Sequence, residues 1–304
     1  MRTMLSLFVL LFVLSTGVHA QQAPADFPRL SGPYLGQKAP GMTPEIFAPG
    51  IVSTEVHEFS CSFTPDGNEF YFTRRDPAKG APLIMVTKLV EGAWTKPEVV
   101  PFVENTQSFE PRVTVDGKRL YFTFMKVIPD RQGPPMHIFY VEREGAGWGA
   151  AQDAGPLFNP MKAMYISTTR DGTIYTSDVS GGPGSESVGV ARLVGGKYEK
   201  IEKLGPPINI GKQDMYPFAA PDESYLLFCS KRPAEGVASE LFISFRSKDG
   251  AWSEPKAVDV GGKAGLPLVS PDGKFLFFTG GERGKSDIYW VDAKILDDLR
   301  PKKD

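Results

Sequence analysis

The sequence predicts an all-β fold, a five-bladed β-propeller of four-stranded antiparallel blades, and three observations carry that prediction. An Asp-centred turn recurs five times, at Asp66, Asp116, Asp171, Asp222 and Asp272, with spacings of 50, 55, 51 and 50 residues. Each turn is followed by a short, almost wholly apolar run: EFYFT, RLYFT, TIYT, YLLFC and FLFFT. Gly (32) and Pro (27) together make up about a fifth of the 304 residues, the composition of many short strands joined by turns. A four-strand supersecondary unit repeated every ~50 residues is a propeller blade. Six blades is the alternative that the chain length leaves less room for.

Residues 1–20 read as an export leader. Arg2 is their sole charge, an apolar run spans Leu5–Leu14, and Val18 and Ala20 take the −3 and −1 positions of a small-residue cleavage site before Gln21. The run is shorter than the ~20 residues that cross a bilayer; a retained anchor is the alternative. Leader removal takes away one Arg and no acid, so the net charge moves from −2 to −3. The expectation is a periplasmic or secreted, monomeric protein that does not insert in the membrane once the leader is gone. Residues 21–41, rich in Pro and Gly, are expected to form a leader or strap. Residues 42–301 are expected to form one propeller domain, with 42–56 as a closing strand and 57–301 as the five repeats.

Within each unit a first strand enters the turn. The turn Asp accepts local backbone hydrogen bonds, and the following Gly takes a positive φ that closes the hairpin. The apolar second strand should be buried on both faces. A third strand follows: LIMVTKL, HIFYVER, VGVARLV, LFISFRS and DIYWVDA. Trp94, Trp148, Tyr198 and Trp252 open a fourth in the first four units. The fifth unit has no such segment. Met42–Val52 shares the Pro-x-x-apolar pattern of WTKPEVVPFV, so it should supply that outer strand and close the ring. Ala293–Leu299 should form one or two helical turns, with Asp292 as N-cap and Ile295, Leu296 and Leu299 docking underneath. Cys61 and Cys229 fall in non-neighbouring units and are expected to be two buried thiols.

The PDG turn followed by F-x-F-T resembles the PD40, or WD40-like (TolB-type), β-propeller family over residues 57–291, with departures at Val115, Arg170 and Glu223–Ser224. The resemblance implies a propeller in a bacterial exported protein. TolB itself has six blades and an extra N-terminal domain, and this chain has room for neither. Other exported members are domains of peptidases, pectin-degrading lyases or binding proteins, and the resemblance does not choose among them.

Function in a propeller concentrates at one end of the channel lined by the first strands. The loops entering the first strand and joining the second to the third carry interleaved cations and acids, and loops on a rigid scaffold are where function gathers. The candidate ligand-binding residues are Arg74, Arg75, Arg112, Lys126, Tyr165, Tyr216, Lys231, Arg232 and Arg283. Such a rim suits an anionic or hydroxyl-rich ligand. The turn Asp residues should be structural, and Trp94, Trp148 and Trp252 should serve blade packing.

Lys+Arg 34 against Asp+Glu 36 argues against a nucleic-acid partner. The sequence has no HExxH, CxxC or EF-hand pattern, so no metal or cofactor is expected. Gly280–Ser286 (GGERGKS) is one residue short of a phosphate loop and joins two strands, so it reads as a hairpin. Glu58, Glu110, Asp214 and His57 are the catalytic candidates if the channel holds a glycoside hydrolase or uronate lyase. The leading expectation is a binding module for a glycan or protein ligand; the alternatives are that carbohydrate-active enzyme and an envelope scaffold.

Overall fold

A computed structural model describes residues 27–301, apart from 76–77, 79, 104–105, 126–135, 160, 234–239 and 283–284. The leader expected at 1–20, Lys126 and Arg283 therefore lie outside the described residues. Five antiparallel sheets follow one another along the chain. Blade 1 comprises Glu58–Phe63, Glu69–Arg75, Pro82–Val90 and Glu98–Val99. Blade 2 comprises Ser108–Val113, Arg119–Met125, Met136–Glu144 and Gln152–Asp153. Blade 3 comprises Ala163–Thr168, Ile174–Asp178, Ser187–Ala191 and Glu202–Lys203. Blade 4 comprises Met215–Ala219, Tyr225–Cys229, Leu241–Phe245 and Lys256–Ala257. Blade 5 comprises Ala264–Val269, Phe275–Glu282 and Lys285–Asp292, completed by Glu45–Ile46 from the other end of the chain.

The turns form for the reason the sequence suggests. Asp66 Oδ1 accepts from Thr64 Oγ1 (2.5 Å) and the Asn68 N–H (3.1 Å), and Asp116, Asp171 and Asp272 repeat the pattern. Gly67, Gly117, Gly172 and Gly273 follow them at positive φ. Blade 4 has Glu223 at this position, at φ 56°. Its carboxylate is held by Arg246, by Arg192 (3.3 Å) and by the Tyr175 hydroxyl (2.6 Å), which offsets the strain of a left-handed non-glycine residue.

The second strands are buried on both faces, and they supply the apolar layers between blades. Tyr71 and Ile84 of blade 1 pack on Leu120 and Phe122 of blade 2. Tyr121 and Ile138 of blade 2 pack on Ile166 and Ile174 of blade 3. Tyr175 and Val188 of blade 3 pack on Leu226 and Phe228 of blade 4. Phe63, Leu227 and Phe277 join blades 1, 4 and 5 around Trp290. Trp148 Nε1 donates to the Tyr71 hydroxyl of the preceding blade (2.7 Å), and Trp252 meets Tyr175 edge-on. These tryptophans cement neighbouring blades.

The ring closes where the sequence places the closure. Glu45 pairs with Trp290 and Ile46 with Tyr289. The closing strand is two residues long rather than running from Met42 to Val52, because Ala48 turns at φ 44° and the chain doubles back on itself. Residues 30–40 form a strap over the seam. Trp94 Nε1 donates to the Gly32 carbonyl (2.7 Å), and Tyr34 inserts among Phe63, Phe275 and Trp290 with its hydroxyl on Asp272 (2.7 Å). Ala293–Leu299 is a 3-10 helix; Asp292 Oδ1 caps the Lys294 N–H (2.9 Å), and Leu296 is buried beneath it. One expected strand breaks: after Ala191 in blade 3, Leu193–Val194 leaves the sheet and pairs with Lys197–Tyr198 instead. Cys61 and Cys229 are free and buried.

Candidate functional site: a funnel closed by Arg112

The five first strands line the channel, and counting back from each turn Asp gives their levels. Six residues before it stand Ser60, Glu110, Tyr165, Tyr216 and Leu266. All five take positive φ, between 48° and 57°, and the pairing with the second strand shifts register there in every blade. A β-bulge re-aims a side chain, and here it recurs at one level in all five blades. Tyr165 and Tyr216, equivalent positions in adjacent blades, have ring centroids 5.6 Å apart.

Each bulge is anchored to the preceding blade. The N–H groups of Ser60, Glu110 and Tyr216 donate to Thr279 Oγ1 (3.1 Å), Thr73 Oγ1 (3.0 Å) and Ser177 Oγ. The Leu266 N–H meets the Cys229 thiol, and the Tyr165 N–H meets the Glu110 carboxyl. A small polar residue in the second half of the second strand (Thr73, Ser177, Thr279) is thus an inter-blade hydrogen-bond acceptor, and Cys229 fills that role in blade 4.

Below the bulges the axis is occupied. Arg112 Nε donates to the Ile166 carbonyl of blade 3 (3.1 Å), and its Nη1 to the Cys61 carbonyl of blade 1 (3.2 Å) and the Tyr165 hydroxyl (3.0 Å). Tyr165 in turn donates to the Pro267 carbonyl of blade 5 (2.6 Å). The guanidinium also lies over the Tyr165 ring and faces Phe218 of blade 4. Two side chains therefore connect all five blades, with Arg112 4% and Tyr165 1% exposed.

This placement corrects the expectation of an open cationic rim for four of its members. Arg112 and Tyr165 are buried in the axis because the bulge turns the blade 2 and blade 3 inner strands inward. Arg74 is turned into the blade 1 seam, bonding Glu58 Oε1 (2.7 Å) and the carbonyls of Ile51 and Val52. Arg232 bonds Asp214 Oδ1 (2.9 Å), Ser230 and the carbonyls of Pro207 and Ile208, and stacks over Phe228 and Phe242. Arg75 and Lys231 are exposed, and Tyr216 is half-buried.

The catalytic candidates do not converge on an open site. Glu58 is fully buried and bonded by Thr54 and Arg74. Burial acts to raise the Asp214 pKa, but bonds from Ser230, Arg232 and the Ile210 N–H outweigh it and hold the carboxyl below its ordinary range. Burial pushes Glu110 up to about 7, against the pull of Thr123, Arg112 and the Tyr165 N–H. His57 shares a 2.6 Å hydrogen bond with Ser286 Oγ, and burial followed by the nearby Arg75 lowers its pKa, so it is neutral at pH 7.

The open cavity lies on the other side of the plug, at the face of the Asp turns. It measures about 890 Å³. Its floor is the level four residues before each turn Asp: Ser62, Arg112, Ser167, Phe218 and Leu268. Its mouth is the level one residue before: Pro65, Val115, Arg170, Pro221 and Pro271. Ala39 and Pro40 of the strap and Leu296 of the C-terminal helix form one wall. Sequence reasoning chose the opposite end of the channel. The signal it passed over was Arg170, a cation where three other units have Pro, on the same side as Arg112. Among the described residues no cluster of three or more metal-ligating side chains is present, and no helix is long and apolar enough to cross a membrane.

No protein-family model matches the chain, and no curated protein is recognisably similar to it in sequence. Solved structures do resemble it. A TolB-like protein from Agrobacterium tumefaciens is 15% identical, with 75% of this chain and 71% of that one covered at a TM-score of 0.49. A gluconolactonase from Xanthomonas campestris is 12% identical, with 87% and 99% covered at 0.46. An oligogalacturonate lyase from Vibrio parahaemolyticus is 11% identical, with 78% and 66% covered at 0.40. At these identities the likeness is one of architecture, and the chain itself is a five-bladed β-propeller with a funnel at its turn face.

Proposed function

We propose that the protein is an exported propeller that acts as a binding module and holds a glycan in the funnel at its turn face. The observation that carries this reading is the division of the channel. Arg112 and Tyr165 block it midway, and Glu58 and Asp214 are each tied to an arginine on the far side of that block. The funnel combines apolar walls (Phe63, Val113, Phe218, Leu268) with polar groups at its floor (Ser62, Arg112, Ser167) and charged residues at its rim (Arg170, Asp222, Asp272). Its volume falls in the usual range of a ligand pocket.

A second reading rests on Glu110. A buried carboxyl with a pKa of about 7 has the value a general acid or base needs at neutral pH, which supports a hydrolase or lyase. The residues lining the funnel do not include it.

Incubating the purified protein with a pool of neutral and acidic oligosaccharides separates the readings. Sugars retained with unchanged masses support the binding module. Products with added water, or with an unsaturated uronate end, contradict it, and their loss in Glu110→Gln would assign them to that carboxyl. Retention of no sugar at all contradicts the glycan and leaves a protein ligand.

A further inference from the structure

The funnel floor contains a buried cation, Arg112, with no ion-pair partner among the described residues. Glu110, an acid within electrostatic range of it, has its pKa raised to about 7 by burial, so at neutral pH it offsets the cation only in part. At the rim, by contrast, charges pair off: Lys274 with Asp272 (3.1 Å), Lys294 with Asp292 (3.8 Å) and Arg300 with Asp297 (3.1 Å), while Arg170 acts on Asp222. Burying a cation without a counter-charge is costly. Nε and Nη1 of Arg112 are held by carbonyls and the Tyr165 hydroxyl. Among the described residues Nη2 has no such partner, and the side chain lines the cavity.

Three hydroxyls complete the picture, Ser62 and Ser167 on the floor level and Thr168 one residue nearer the mouth. Ser62 Oγ accepts from the Val113 N–H (2.9 Å), Ser167 Oγ from the Ala219 N–H (3.1 Å), and Thr168 Oγ1 from the Val115 N–H (3.1 Å). Each oxygen is thereby fixed as an acceptor towards the backbone, which leaves its proton to be donated elsewhere. All three residues line the funnel.

We infer that Arg112 Nη2 with the hydroxyls of Ser62, Ser167 and Thr168 forms a recognition site for a single carboxylate. The ligand is a small monoanion such as a sugar acid, seated carboxylate-first on the funnel floor, with Arg170 at the mouth. One guanidinium balances one negative charge. A phosphate dianion would leave a surplus charge in a site where desolvation is expensive. The inference rests on the reading of the funnel as the binding site and adds the chemical class of the ligand.

The test is calorimetric titration with D-galacturonate, galactose and inorganic phosphate. Galacturonate should bind at least tenfold more tightly than galactose or phosphate. Arg112→Gln should weaken it about 10–100-fold, the range of a lost charge-assisted hydrogen bond. Because Arg112 also joins blades, two further readouts accompany that variant. Ser167→Ala, which keeps the guanidinium, should weaken galacturonate about 3–10-fold, the range of a lost neutral hydrogen bond. In the native protein the Arg112 side-chain nitrogen resonances should shift on adding galacturonate. Equal binding of galacturonate and galactose, both blocked by Val115→Trp at the mouth, would overturn the carboxylate site while keeping the funnel. Tighter phosphate binding, or unmoved Arg112 resonances at saturation, would overturn it as well. Sugar binding that Val115→Trp leaves intact would overturn the funnel reading itself.

Discussion

Replacing Glu110 with Gln should change how the stability of the protein depends on pH. The Glu110 carboxyl is 5% exposed, and burial raises its pKa from 4.5 to about 7. In the unfolded chain the same group titrates near its ordinary value. Between these limits the folded state holds a proton that the unfolded state has released. The contribution of this group to stability is therefore fully present below about pH 4 and is lost as pH rises through 7. At ~1.4 kcal/mol per pH unit, the loss amounts to about 3 kcal/mol by pH 8. Glutamine does not titrate, so the variant lacks this dependence. Urea unfolding of both proteins from pH 4 to 9 reads the difference directly, because the other titrating groups are shared. The gap between variant and wild type should widen in favour of the variant by about 2–3 kcal/mol between pH 5 and 8. Parallel curves would refute the burial of an ionisable Glu110.

Three further outcomes follow from the fold. Glu223→Gly should lower stability by about 1–3 kcal/mol despite relieving a positive φ, because Arg246, Arg192 and the Tyr175 hydroxyl lose their shared acceptor; a variant as stable as wild type in thermal unfolding would contradict that. Burial raises the thiols of Cys61 and Cys229 to about 12, so a thiol reagent at pH 8 should label neither in native protein and both in denaturant; rapid native labelling would contradict their placement. Tyr34→Phe should cost about 1 kcal/mol through the lost bond to Asp272, and should speed amide exchange in the strap more than in blade 3; uniform acceleration would contradict a local role.

The architecture was legible because each blade announces itself by a local requirement. An Asp that must accept from the backbone two residues on, and a Gly that must take positive φ, leave a mark at a fixed place, and five such marks count the blades. Ring closure was legible through the repeated pattern around Pro44 and Pro97. The site was less so. A regular strand has a period of two, so Glu110 and Arg112 read as neighbours on one face. The bulge at Glu110 breaks that period. It leaves the carboxyl against Thr123 and Tyr165, while the guanidinium crosses the axis to blades 1 and 3. The pairing of Glu58 with Arg74 was readable in retrospect, since each stands eight residues from Asp66, the spacing at which a hairpin brings them opposite. Two of the cations read as ligand-binding, Arg74 and Arg232, are fixed instead by Glu58 and Asp214, which the hairpins return to them.

The measurement that bears most directly on the central claim compares the two ends of the channel. Val115→Trp fills the mouth of the funnel, and Arg75→Ala removes an exposed cation at the opposite end, whose described bond is to the Gly80 carbonyl. Retention from the oligosaccharide pool should be abolished by the first and unchanged by the second, with both variants unfolding like wild type. Retention lost in Arg75→Ala and preserved in Val115→Trp would place the ligand at the other end and contradict the account.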